Sequence, residues 1–232
     1  MTHLRQLRDT VTGAFSYLVG CKRSGLALVI DPVITQTPLY LDMLDELGLR
    51  LAWILETHLH ADHISAADSL REWTGAKVAV GASAGIRCAD HQLADGDRIE
   101  CGTVVLETLA TPGHTPGCIS FHWQGRLFTG DCLLIGKCGR IGEPGSNAAQ
   151  LLDSVKRRLF AYADETLVYP GHCLNGRRVS SIGEERNSNS LFRAAGCVDL
   201  ASLMCDDGLP GILPIALAAN RNCGRLIDAR AA

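Results

Sequence analysis

Four residues able to bind a metal crowd into Thr57-His58-Leu59-His60-Ala61-Asp62-His63, where an apolar run that reads as a strand gives way to a segment that reads as a helix. At this composition, H-x-H-x-D-H arises by chance in roughly one chain in a thousand or fewer. Along extended backbone, residues two apart point the same way. His58 and His60 can therefore converge on one ion while Asp62 and His63 turn toward an adjacent position. Imidazole and carboxylate donors in that density point to a metal centre.

Three further donors each follow an apolar strand and sit beside Gly or Pro: His114 in Thr111-Pro112-Gly113-His114-Thr115-Pro116-Gly117, Asp131 in Phe128-Thr129-Gly130-Asp131, and His172 in Tyr169-Pro170-Gly171-His172. Strand ends gather at one edge of a sheet, so these loops can complete a site begun by the histidine cluster. His3, His91 and His122 lack such spacing. Gly81-Ala82-Ser83-Ala84-Gly85 fits the G-x-S-x-G pattern of a serine nucleophile. In a chain this rich in Gly the pattern recurs about once in seven chains, and it reads as a turn and helix start. Lys156-Arg157-Arg158 reads as the solvated face of a helix. Cys173 directly follows His172, where a metal or imidazolium would lower its thiol pKa and permit sulfur transfer; a packed, inert Cys is the alternative.

The elements that must position these groups are legible in the same way. Apolar runs at Ala14–Val19 and Leu26–Asp31 predict a hairpin, and Leu41, Leu44 and Leu47 ahead of Gly48 predict a helix over about 37–47. A strand at 51–55, a helix over about 61–73 and a strand at 77–80 follow. Strands at 98–101, 104–109, 118–123 and 127–129 form a second block, then a helix over about 147–160 and a strand at 166–169. The expected class is α/β, with mixed sheets covered by helices, in a single domain over 1–232. A net charge of −3 gives no basic footprint for nucleic acid or anionic lipid. No apolar run approaches the roughly 20 residues of a membrane span, and no secretory signal is evident, which sets a cytoplasmic expectation. None of the ten Cys pairs as C-x-x-C, so reduced, buried thiols are expected rather than a disulfide framework.

H-x-H-x-D-H followed by G-H-T, T-G-D and G-H resembles the metallo-β-lactamase superfamily. Phe15-Ser16-Tyr17-Leu18, Ile30-Asp31-Pro32-Val33, Cys138-Gly139-Arg140 and Ala219-Asn220-Arg221-Asn222-Cys223-Gly224 are similar to its persulfide dioxygenase branch. The resemblance implies an αββα sandwich of two mixed β-sheets flanked by helices. It also implies one Fe(II) per chain, held by His58, His114 and Asp131, that oxidises glutathione persulfide or a related persulfide with O2 to sulfite. His60, Asp62, His63 and His172 would then support these ligands, Arg140 would hold a glutathione carboxylate, and relatives suggest a homodimer. The thiol pocket diverges: Ile141-Gly142-Glu143-Pro144, Cys173-Leu174 and Leu191 stand where the branch has other residues. The rival implication is a hydrolase of thioesters or lactones with two Zn ions. In it His58, His60 and His114 bind one ion, Asp62, His63 and His172 the other, and Asp131 bridges them.

Overall fold

The computed structural model of the protein describes residues 2–142, 144–172, 176–193 and 210–226. One sheet takes its six strands in chain order: β1 (Thr2–Arg8), β2 (Phe15–Cys21), β3 (Leu26–Ile30), β4 (Arg50–Glu56), β5 (Lys77–Gly81) and β6 (His91–Leu93). The first three pair antiparallel, and β3 through β6 run parallel. Helices α1 (Thr37–Glu46) and α2 (Ala67–Thr74) make the crossovers that parallel pairing requires. The other sheet contains β7 (Arg98–Cys101), β8 (Val104–Ala110), β9 (Ile119–Trp123), β10 (Arg126–Gly130), β11 (Leu167–Pro170) and β12 (Ser180–Ser181). Within it only β10 and β11 are parallel, with α3 (Ala148–Asp153) in the connection between them. Asn147 caps that helix by accepting from the Gln150 amide, which satisfies one of its orphan donors.

The period-two alternation of the strands sorts side chains into layers. On the fully buried β2, Phe15, Tyr17 and Val19 enter the core between the sheets, whereas Leu18 points to the layer under α1 and α2. On β3, Leu28 and Ile30 face inward and Ala27 and Val29 outward. A third cluster, including Leu127, Leu151, Val155, Val168 and Ile182, packs α3 and α4 (Ile182–Ser188) on the far face of the second sheet. The result is the four-layer αββα arrangement, with both sheets mixed as the pattern predicted. No helix among the described residues is long and apolar enough to cross a membrane.

Three expectations change. The helix predicted from 61 starts at Ala67, because residues 57–66 form the irregular loop that carries the histidine cluster. The helix predicted over 147–160 keeps α-geometry only through Asp153 and then widens into a π-turn over Ser154–Arg158. The third concerns the cysteines. Cys88 and Cys223, 135 residues apart, are disulfide-bonded, while Cys21, Cys101, Cys118 and Cys132 are free thiols and, like Cys138, buried as expected.

The bond ties the chain after α6 (Pro214–Asn220) to the segment after β5. The same region is pinned at Asp68 of α2, which accepts from Arg225 Nε at 2.7 Å and Arg71 Nη2 at 2.6 Å. Burial opposes the Asp68 charge, but the two guanidinium groups hold its pKa below the ordinary carboxylate value. That contribution is present above the unfolded value, about 3.9, and is lost as pH falls through the depressed folded value. Asp68→Asn is therefore expected to lower stability by about 1 kcal/mol or less at pH 7, with the two proteins converging in strong acid. Urea unfolding at pH 7 and pH 3, repeated at high salt, measures the difference.

Candidate metal centre

His58 follows β4, His114 follows β8, Asp131 follows β10 and His172 follows β11, so all four lie beyond the carboxyl ends of strands. His58, His114 and Asp131 are each buried, and their donor atoms fall within 4.8 Å of one another. The hydrogen bonds fix which nitrogen each ring offers. Thr57 Oγ1 donates to Asp31 Oδ2 at 2.7 Å, so it can only accept from His58 Nδ1 at 2.9 Å, which leaves His58 Nε2 bare. His114 Nδ1 donates to the Arg140 carbonyl at 2.8 Å and likewise leaves Nε2 bare, 3.8 Å from Asp131 Oδ2. Burial, followed by the charge on His60, pushes the His58 pKa well below its usual value and keeps the ring neutral, as a ligand must be. Two bare imidazole nitrogens and one carboxylate oxygen suit a facial metal site with positions left open.

His172 holds that carboxylate. Its Nδ1 donates to Asp131 Oδ1 at 2.7 Å and its Nε2 to Asp62 Oδ2 at 3.0 Å, so both nitrogens carry protons. Burial opposes the charge, but Asp131 and Asp62 outweigh it and raise the His172 pKa to about 10. Asp131, despite burial, is held far below the carboxylate range by the charge and hydrogen bond of His172. Asp62 also accepts from His63 Nδ1 at 3.1 Å. Behind the cluster, His60 Nε2 lies 3.2 Å from Asp31 Oδ1 and 3.1 Å from Glu56 Oε2. Among the described residues, His60 Nδ1 and His63 Nε2 are buried without a hydrogen-bond partner, and His60, Asp62 and His63 offer atoms within 4.8 Å of one another. A second group of donors thus adjoins the first.

The surrounding backbone is shaped to this centre. A Cβ on Gly139 would press on the Asp131 carbonyl, and one on Gly171 would press on Asp131 Oδ1, so only glycine lets these loops close around the carboxylate. The remaining cavity, lined by His58, His114, Asp131, Arg140, His172 and Pro210 among others, admits about one water molecule. Arg140 is at its wall, and one of its nitrogens, Nη1, donates to the Pro210 carbonyl at 2.6 Å. Cys173 lies outside the described residues, as does Glu143.

Ser83 stands apart from the donors. Its Gly81–Gly85 segment packs backbone to backbone on the loop after His114, where a Cβ at Gly81 would strike the Gly117 carbonyl and one at Gly117 would strike Ala84. Those glycines serve close packing rather than a strained nucleophile turn, so Ser83→Ala is expected to leave turnover within about twofold of the parent. Steady-state rates on the metal-loaded protein check this. Sequence reasoning assigned no role to Asp31, Glu56, Thr57 or Asn220, which brace the histidine loop; Asp31, Thr57 and Asn220 lie in the motifs that carry the resemblance, and Glu56 had only its position at the end of β4 as a signal.

The metallo-beta-lactamase superfamily model matches residues 9–172. The chain belongs to the metallo-β-lactamase superfamily. Within that superfamily it is 38% identical over 226 residues to the human mitochondrial persulfide dioxygenase ETHE1, spanning 95% of this chain and 88% of that protein. The crystal structure of ETHE1 from Myxococcus xanthus superposes with a TM-score of 0.90 at 40% identity, covering 96% of this chain and all of that one (100%). A hydroxyacylglutathione hydrolase of Cereibacter sphaeroides is 35% identical over 213 residues, 89% of this chain and 81% of its own. In this chain the ends of both sheets meet around His58, His114 and Asp131.

Proposed function

We propose that the protein is an iron-dependent persulfide dioxygenase, oxidising glutathione persulfide or a related low-molecular-weight persulfide with O2 to sulfite and the free thiol. The observation that carries this reading is the 38% identity to a persulfide dioxygenase across 95% of the chain, joined to a convergent His58, His114 and Asp131 triad. Fe(II) held by those three residues supplies the redox chemistry that brings O2 and the persulfide sulfur together. His58 and His114 offer Nε2 because Thr57 and the Arg140 backbone occupy their other nitrogens. His172 keeps Asp131 ionised and turned so that only one of its oxygens is free for the metal. Arg140, at the wall of the small cavity, would pair a carrier's carboxylate.

Metal analysis of anaerobically purified protein, paired with oxygen-electrode assays on several persulfides, tests this. The expected result is about one iron per chain, with O2 uptake that depends on persulfide and yields sulfite. A second reading, a dinuclear zinc hydrolase of thioesters or lactones, is favoured by the orphaned nitrogens of His60 and His63 and by the hydroxyacylglutathione hydrolase relative. Two zinc ions with rapid S-lactoylglutathione hydrolysis and no uptake would overturn the dioxygenase in its favour.

A further inference from the structure

The last helix of the described chain ends against the loop that carries the histidine cluster. Asn220, at its end, is 3% exposed and spends its whole amide on that loop. Its Nδ2 donates to the carbonyls of His60 at 2.9 Å and His63 at 2.7 Å, and its Oδ1 accepts from the Ser65 amide at 2.9 Å. Residues 57–66 are neither helix nor strand, so these buried backbone groups need a partner from outside the loop. The neighbourhood of Asn220 is fixed in turn. Leu213 donates its amide to the Ala61 carbonyl at 2.7 Å, Asp68 donates its amide to the Cys223 carbonyl at 2.8 Å, and Cys223 is bonded to Cys88.

We propose that Asn220 is a positioning residue for the metal ligands, an inference that rests on the metal-centre reading above. By clamping the carbonyls of His60 and His63, it sets the path of the turn that begins at His58 and ends at His63. The consequence runs outward in contacts. The turn aims Asp62 at His172 Nε2, and His172 Nδ1 grips Asp131, so one amide governs the placement of two of the three donors, His58 directly through the backbone and Asp131 through His172. Asparagine is required because the loop asks for two donors and one acceptor from a single planar group. Aspartate has the same shape but would turn an acceptor toward two buried carbonyls.

The test uses the full chain loaded with Fe(II), comparing the parent with Asn220→Asp, Asn220→Ser and Ala216→Gly. The serine variant keeps one donor and covers the event that the buried aspartate prevents folding. Ala216→Gly trims a buried methyl one turn earlier on α6 and leaves all three hydrogen-bonding groups of Asn220 in place. Two readouts are taken on the folded protein: the rate of iron loss to excess chelator, and the electron paramagnetic resonance signal of the Fe(II)–nitric oxide adduct. Asn220→Asp is expected to lose iron about ten to a hundred times faster and to give an altered signal, with Asn220→Ser between it and the parent. Ala216→Gly should match the parent in both. The proposal falls if the Asn220 variants keep the parental rate and signal, or if Ala216→Gly speeds iron loss as much as they do. If the parent itself holds no more iron than His114→Ala, the metal-centre reading fails first and this one with it.

Discussion

His114→Ala is expected to remove iron from the protein and to lower persulfide-dependent O2 uptake by about a thousandfold or more, which corresponds to about 4 kcal/mol in the barrier. The change deletes one of the two bare imidazole nitrogens and leaves the Arg140 carbonyl without the Nδ1–H that donates to it. His58 and Asp131 alone do not close a facial site, and a two-donor remnant competes poorly with water. The fold should survive, because His114 lies in a loop after β8 and contributes nothing to the three apolar clusters. Metal content, oxygen-electrode rates and a thermal melt of the iron-free protein therefore belong in one experiment. His91→Ala supplies the control, since that ring is exposed on β6 and edges the Trp53 ring far from any donor group. A His114→Ala protein that melts normally and still carries a full complement of iron would remove His114 from the site.

Reduction of the Cys88–Cys223 bond is expected to cost about 2–5 kcal/mol of stability. In the chain-entropy account, a cross-link between residues 135 apart confines the unfolded ensemble strongly, because the closed loop is long. Cys88→Ser should unfold at the denaturant concentration of the reduced parent and should not respond further to reductant. The oxidised parent should unfold later than both. Equal midpoints for oxidised parent, reduced parent and variant would show that no such bond operates in solution.

The donors were legible because metal chemistry constrains residue type and local spacing together. His58, His60, Asp62 and His63 fall within six positions of one motif, and His114, Asp131 and His172 each carry the mark of a strand end beside Gly. The layers were legible because β2 and β3 alternate so regularly. What escaped was long-range or polar. β1 runs Thr-His-Leu-Arg-Gln-Leu-Arg with only Leu7 buried, an edge strand whose solvated residues hide its pairing with β2. The start of α2 was placed six residues early because the apolar spacing continues into a loop whose backbone is bent around the histidines. Nothing near Cys88 announces Cys223, and nothing in the H-x-H-x-D-H motif reveals that Thr57, Asp31 and Glu56 decide which face of each ring is available.

The brace on the histidine loop also imposes an order on how the centre is built. His60 and His63 leave the ribosome some 160 and 157 residues before the amide that holds their carbonyls, and both sheets are complete in that interval. A nascent chain that has folded its sandwich already displays every donor, yet its first loop still lacks its fastener. On the proposal above, the donors take their final spacing only once Asn220, 160 residues further along the chain than His60, has reached the loop.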